Sequence, residues 1–117
     1  MGDAYGHPPY YAQGCGVLPD AMMSAASACE NATKLVDRRV PLDGVPGILA
    51  DLDVEIVPFG ESDALLAAGL SAITRPAGLS FGDRACLALA QSRGLPVYTA
   101  DRLWASLNLP VDIRLVR

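Results

Sequence analysis

The residues best placed to do chemistry are three carboxylates, Glu30, Asp83 and Asp101. Asp101 follows Thr99, the end of a predicted strand, by two positions, and in an open parallel sheet ligand sites collect beyond the carboxyl ends of strands. Asp83 falls in the first turn of the preceding predicted helix, which begins at that same edge of the sheet, so the two acids can converge. Glu30 is the only acid between Ser24 and Val36 and so is not part of a charged surface run. Carboxylates contributed by separate elements suit a hard, oxygen-seeking ion such as Mg2+ or Mn2+. Such an ion activates water and stabilises charge on a phosphodiester. Each acid also has a structural reading: Asp83 and Asp101 as helix caps, Glu30 as the i,i+4 partner of Lys34. Spacing alone leaves both readings open.

Other candidates carry less. His7 lies among turn residues with no serine or cysteine in a nucleophile setting. Gly14-Cys15-Gly16 begins like a dinucleotide fingerprint, but Pro19 takes the place of the third glycine and no strand precedes it. Cys86 reads as a small core side chain and Trp104, with Leu103 and Leu107, as a packing cluster.

The elements that must position these residues are marked by breakers and periodicity. Gly2, Gly6, Pro8, Pro9, Gly14, Gly16 and Pro19 make residues 1–20 an irregular arm. From Ser24 to Arg38 there is neither Pro nor Gly, and Ala28, Cys29, Ala32, Leu35 and Val36 fall on one helical stripe. Ser24 caps this helix, and Arg38 and Arg39 complement its C-terminal dipole. A short second helix is predicted over Asp43 to Leu52, a strand over Val54 to Val57, and a helix from Ser62 to about Ile73. Ser80 and Asp83 have capping-box spacing and open a helix that Gly94 stops. A strand at Pro96–Thr99, a short helix at Asp101–Leu107 and a strand at Ile113–Val116 complete the chain. Strands alternating with helices predict an α/β fold, a parallel sheet with helices on both faces.

Composition limits the partners. The 117 residues allow one domain, and 51% apolar content allows a core. The formal net charge is −4, with eight arginines and one lysine among thirteen acids. No global basic field holds nucleic acid, so any such binding is local. Three cysteines leave one unpaired in any disulfide scheme, and no secretory, membrane-spanning or myristoylation pattern is evident. A cytoplasmic protein with no membrane contact is expected.

The run Leu79-Ser80-Phe81-Gly82-Asp83-Arg84-Ala85-Cys86-Leu87-Ala88-Leu89-Ala90, then Gly94-Leu95-Pro96-Val97-Tyr98-Thr99-Ala100-Asp101-Arg102 and Trp104, resembles the C-terminal half of VapC-type PIN domains. There, a helix opening with Ser-x-x-Asp precedes a strand ending in Thr-Ala-Asp. Met23-Ser24-Ala25 through Glu30 to Arg38 resembles the family's segment in which a strand runs into a helix bearing an acid, although Ser27 stands where asparagine is usual. The resemblance covers residues 20–117 and implies a three-layer α/β/α fold with a parallel sheet. It implies a Mg2+- or Mn2+-dependent endoribonuclease, the toxin of a type II toxin–antitoxin pair. Glu30, Asp83 and Asp101 would be its catalytic and metal-holding acids, with Ser80 and Thr99 as polar supports. The implied partners are an RNA substrate, a cognate antitoxin and a second copy in a homodimer.

The sequence departs from the family at its N-terminus. A first strand ending in an aspartate has no counterpart, and neither Asp3 nor Asp20 stands in for it. The expectation is therefore an arm over residues 1–20 and an incomplete, truncated or degenerate PIN-like domain over 21–117, lacking the central first strand unless another copy or residues 10–18 supply it. An inactive remnant that keeps a scaffold or an antitoxin- or dimer-binding surface is the alternative. A response-regulator-like domain is disfavoured, because Lys34 lies on a helix rather than after a late strand.

Overall fold

The computed structural model describes residues 21–116. The arm expected over residues 1–20, with His7, Cys15 and the question of a first central strand, lies outside them. In chain order the elements are β1 (Met22–Ser24), α1 (Ala25–Asp37), a 3-10 turn (Leu42–Gly44), α2 (Val45–Asp51) and β2 (Glu55–Val57). There follow α3 (Glu61–Gly69), α4 (Ser71–Thr74), a second 3-10 turn (Arg75–Ala77), α5 (Phe81–Arg93), β3 (Val97–Thr99), α6 (Arg102–Ser106) and β4 (Ile113–Leu115).

The mixed architecture with parallel strands joined through helices is the α/β class the sequence predicts. Among the described residues, however, the strands form two separate parallel pairs rather than one sheet. Met22, Met23 and Ser24 of β1 stand opposite Glu55, Ile56 and Val57 of β2. Val97, Tyr98 and Thr99 of β3 stand opposite Ile113, Arg114 and Leu115 of β4. Bonds from Glu55 N–H to the Ala21 carbonyl, 3.0 Å, and from Val116 N–H to the Thr99 carbonyl, 2.9 Å, extend the two ladders.

The helix between them is the organising element. In α5, Gly82 and every residue from Ala85 to Ala90 are buried, so it is apolar nearly all round and packs against both α1 and α3. Leu87 and Cys86 of α5 meet Leu70, Val97 and Trp104 in one core cluster, with Leu79, Leu109, Val111 and Ile113 at its margin. Met23 and Ala28 form a smaller cluster with Ala21, Leu52 and Val54 under the β1–β2 pair. Trp104 is thus buried against α5 and β3, while Leu103 beside it is exposed, so the expected Leu103–Trp104–Leu107 cluster is replaced by packing across elements.

Two local expectations change. The buried stripe of α1 is Ala26, Ser27, Ala28, Asn31 and Leu35, whereas Cys29 and Val36 face solvent. The stripe is rotated toward polar residues because Ser27 and Asn31 bond across to α5 and β1. The single helix expected from Ser62 to Ile73 is two, α3 and α4, divided at Leu70. Gly69 is a weak helix former there, and the Thr74 hydroxyl donates to the Leu70 carbonyl at 2.9 Å to close the turn that follows. Among the described residues no helix is long and apolar enough to cross a membrane.

Candidate active site

The site begins with a helix cap. At the start of α5 the Ser80 hydroxyl accepts the Asp83 N–H at 3.1 Å, and Asp83 Oδ2 accepts the Ser80 N–H at 2.9 Å. These reciprocal bonds satisfy two of the donors that every helix N-terminus leaves unpaired. The Ser80 hydroxyl also has a proton to give, and it donates it to Glu30 Oε1 at 2.9 Å. One serine therefore fixes an aspartate on its own helix and a glutamate fifty positions away on α1.

Glu30 is brought there by the rotated stripe of α1. Ser27, one turn earlier, is 2% exposed, and its hydroxyl donates to the Gly82 carbonyl at 2.8 Å. Asn31, on the same face, is 3% exposed, and its amide reaches the Met23 sulfur at 3.9 Å. These two buried polar residues dock α1 on the first turn of α5 and on β1, and Glu30 lies between them. A pocket of about 190 Å3 opens there, lined by Ser27, Glu30, Asn31, Lys34, Ser80, Gly82 and Asp83.

Of the two readings of Glu30, the structure has its carboxylate on the Ser80 hydroxyl, and Lys34 lines the same pocket. Glu30 and Asp83 thus come together on oxygen-rich walls. Mg2+ is commonly held by one or two carboxylates, keeping waters in its remaining positions. The chemistry of this donor set fits a hard divalent cation. Asp83 also acts on the protein interior: burial foremost, and then its carboxylate, push the Cys86 thiol well above its ordinary range.

Asp101 stands apart. It caps α6, with Oδ1 accepting the Leu103 N–H at 2.9 Å, and its own N–H donates to the Thr99 hydroxyl at 3.0 Å. Thr99, 3% exposed, is therefore a support of Asp101, as Ser80 is of Glu30 and Asp83. Asp101 does not line the Glu30–Asp83 pocket, and among the described residues no three His, Cys, Asp or Glu side chains gather into a metal-holding group.

Ser27, Asn31 and Gly82 were not legible as site residues. Ser27, Asn31 and Glu30 do recur at helical spacing, and that polar recurrence on one face of a helix was the available signal. A family model described as PIN domain matches residues 11–108 of the chain. No curated protein and no solved structure matches it.

Proposed function

The chain belongs to the PIN domain family, and we propose that within it this protein is a Mg2+- or Mn2+-dependent endoribonuclease of VapC type, the toxin of a toxin–antitoxin pair. Family membership indicates nuclease activity in general. The observation that supports the finer reading is the Ser80 hydroxyl bridging Glu30 and Asp83, which collects two carboxylates from different helices at one pocket. Glu30 and Asp83 would hold the ion, and a bound ion of this kind supplies an activated water and neutralises phosphodiester charge.

The chain's own residues do the rest. Ser80 orients the Glu30 carboxylate on the pocket wall by donating to Oε1. Lys34, on the pocket wall, offers a cation to a phosphate oxygen of the RNA backbone. Asp101 is the third acid of this reading: its N–H donates to the Thr99 hydroxyl and its Oδ1 caps α6, and an ionised carboxylate has acceptor sites enough to cap and to ligate at once. An antitoxin and a second copy of the chain are the protein partners that the VapC-type reading entails.

The test is a thermal melt of the full chain with and without Mn2+, beside an assay of RNA cleavage, in the parent, Glu30→Gln and Asp83→Asn. A ligand at a hundred times its Kd that binds only the native state stabilises it by about 2.7 kcal/mol. The expected result is a midpoint raised by Mn2+ in the parent and unmoved in both variants, with cleavage lost in both. A parent blind to Mn2+, or variants that cleave at the parental rate, sink the assignment. Antitoxin binding without any cleavage would return the alternative of a non-catalytic scaffold.

A further inference from the structure

We propose that Gly82 is a positioning residue, whose missing side chain is the space in which the Glu30 carboxylate lies. The proposal rests on the reading of Glu30 and Asp83 as metal-holding acids. Gly82 is the second residue of α5 and is buried. A Cβ built on it would overlap Oε1 and Cδ of Glu30 and come within 3.1 Å of its Cγ. Backbone conformation does not call for glycine here: the positive-φ glycines among the described residues are Gly78 and Gly94. In an ordinary helical conformation alanine is favoured over glycine. What glycine provides at this position is room.

The close approach is held from both sides. The Ser27 hydroxyl bonds the Gly82 carbonyl at 2.8 Å, which ties α1 to the first turn of α5. The Ser80 hydroxyl bonds Glu30 Oε1 at 2.9 Å, which draws the carboxylate over the glycine. The atoms a methyl would strike are the far end of a flexible side chain, so the collision is relieved by swinging the carboxylate away and not by parting the helices. Gly82→Ala therefore separates placement of the acid from stability of the fold. Gly47 of α2 is the control, a helical glycine with nothing within 4 Å of its added Cβ.

The experiment is calorimetric titration of the full chain with Mn2+ alone, with a metal-free melt of every variant. Gly82→Ala is expected to melt at or above the parental midpoint yet bind Mn2+ about tenfold or more weakly, the range seen when the partners that orient a metal ligand are removed. Gly47→Ala is expected to bind as the parent does. Parental affinity in Gly82→Ala, beside lost affinity in Glu30→Gln, overturns the inference and leaves the metal reading standing. Unchanged affinity in both Glu30→Gln and Asp83→Asn, or no binding by the parent, removes the metal reading and this inference with it. If Gly82→Ala does not fold, the double variant with Glu30→Ala decides. Recovery of the fold there assigns the collision to Glu30, and a double variant that still fails to fold overturns the proposal.

Discussion

In Asp83 a capping bond and a place on the candidate pocket fall to one side chain. Its Oδ2 caps Ser80, while the residue lines the pocket beside Glu30. The sequence poses capping and chemistry as alternatives because Ser-x-x-Asp spacing suits both, and the Ser80–Glu30 bond from α1 puts the capped residue on a pocket with a second carboxylate. One turn further into α5, Cys86 was legible as a core residue from its apolar neighbours, and it is fully enclosed. Burial, and after it the Asp83 carboxylate, raise its thiol well above the ordinary value of 9.0. A thiolate is the reactive form, so Cys86 is expected to resist iodoacetamide in the native protein and to react on unfolding, while exposed Cys29 reacts throughout. Mass spectrometry of the labelled chain checks this, and native labelling of Cys86 at neutral pH would refute it. The raised value also has a sign for stability. The native state keeps this proton after the unfolded thiol has lost its own, so the contribution is intact below the unfolded value and declines as pH rises through the native one. Cys86→Ala is therefore expected to flatten the alkaline fall of the melting midpoint, and parallel curves for parent and variant would count against the shift.

At the scale of elements, the ends of helices were more legible than their faces. Ser24, Ser80 and Gly94 act as the sequence indicates: the two serines cap α1 and α5, and Gly94 closes α5 in the left-handed conformation with φ 65°. The buried face of α1 departs from its apolar stripe because polarity does not imply exposure: Ser27 and Asn31 are buried by the bonds they make. The close of α1 was also hidden. Arg39 takes φ 74°, with its N–H on the Val36 carbonyl at 2.9 Å and the Val40 N–H on the Leu35 carbonyl at 3.0 Å. That pair of bonds is a Schellman ending, in which glycine is the usual left-handed residue. The two positions predict opposite effects of one conformational preference. Gly94→Ala, where an added Cβ meets nothing within 4 Å, is expected to destabilise through backbone strain alone, by about 1 kcal/mol. Arg39→Gly is expected to stabilise by about 0.5–1 kcal/mol once added salt screens the loss of a cation at the helix end. Urea denaturation of both variants at about 0.5 M salt checks the pair, and equal signs would mean that something other than φ governs these ends.

For the whole molecule, alternating strands and helices made the parallel α/β class legible, but not the division of the strands into two pairs. Each strand is three residues long, too short for its pattern to name a partner. What joins the pairs is α5, which packs on α1 and β1 and shares, through Cys86, Leu87 and Ala90, one buried cluster with Val97 of β3 and Trp104. If α5 is a shared core element, the two halves must unfold together, because neither can release it without exposing apolar surface belonging to the other. Trp104 is the chain's single tryptophan and is 3% exposed, so its fluorescence reports on the core cluster that it shares with Val97 of β3 and with α5. Far-ultraviolet circular dichroism weighs instead the long helices, α1 and α5, of 13 residues each. The two signals are expected to give one urea midpoint. Leu87→Ala, which removes a fully buried side chain at the junction, should lower both midpoints together by about 2–5 kcal/mol of stability. That is a large part of the 5–15 kcal/mol or so available to a domain. A Trp104 transition that precedes the loss of helix, in the parent or in Leu87→Ala, would mean that the β3–β4 half is held separately. Asp101 would then leave the folded part of the molecule before Glu30 and Asp83 do.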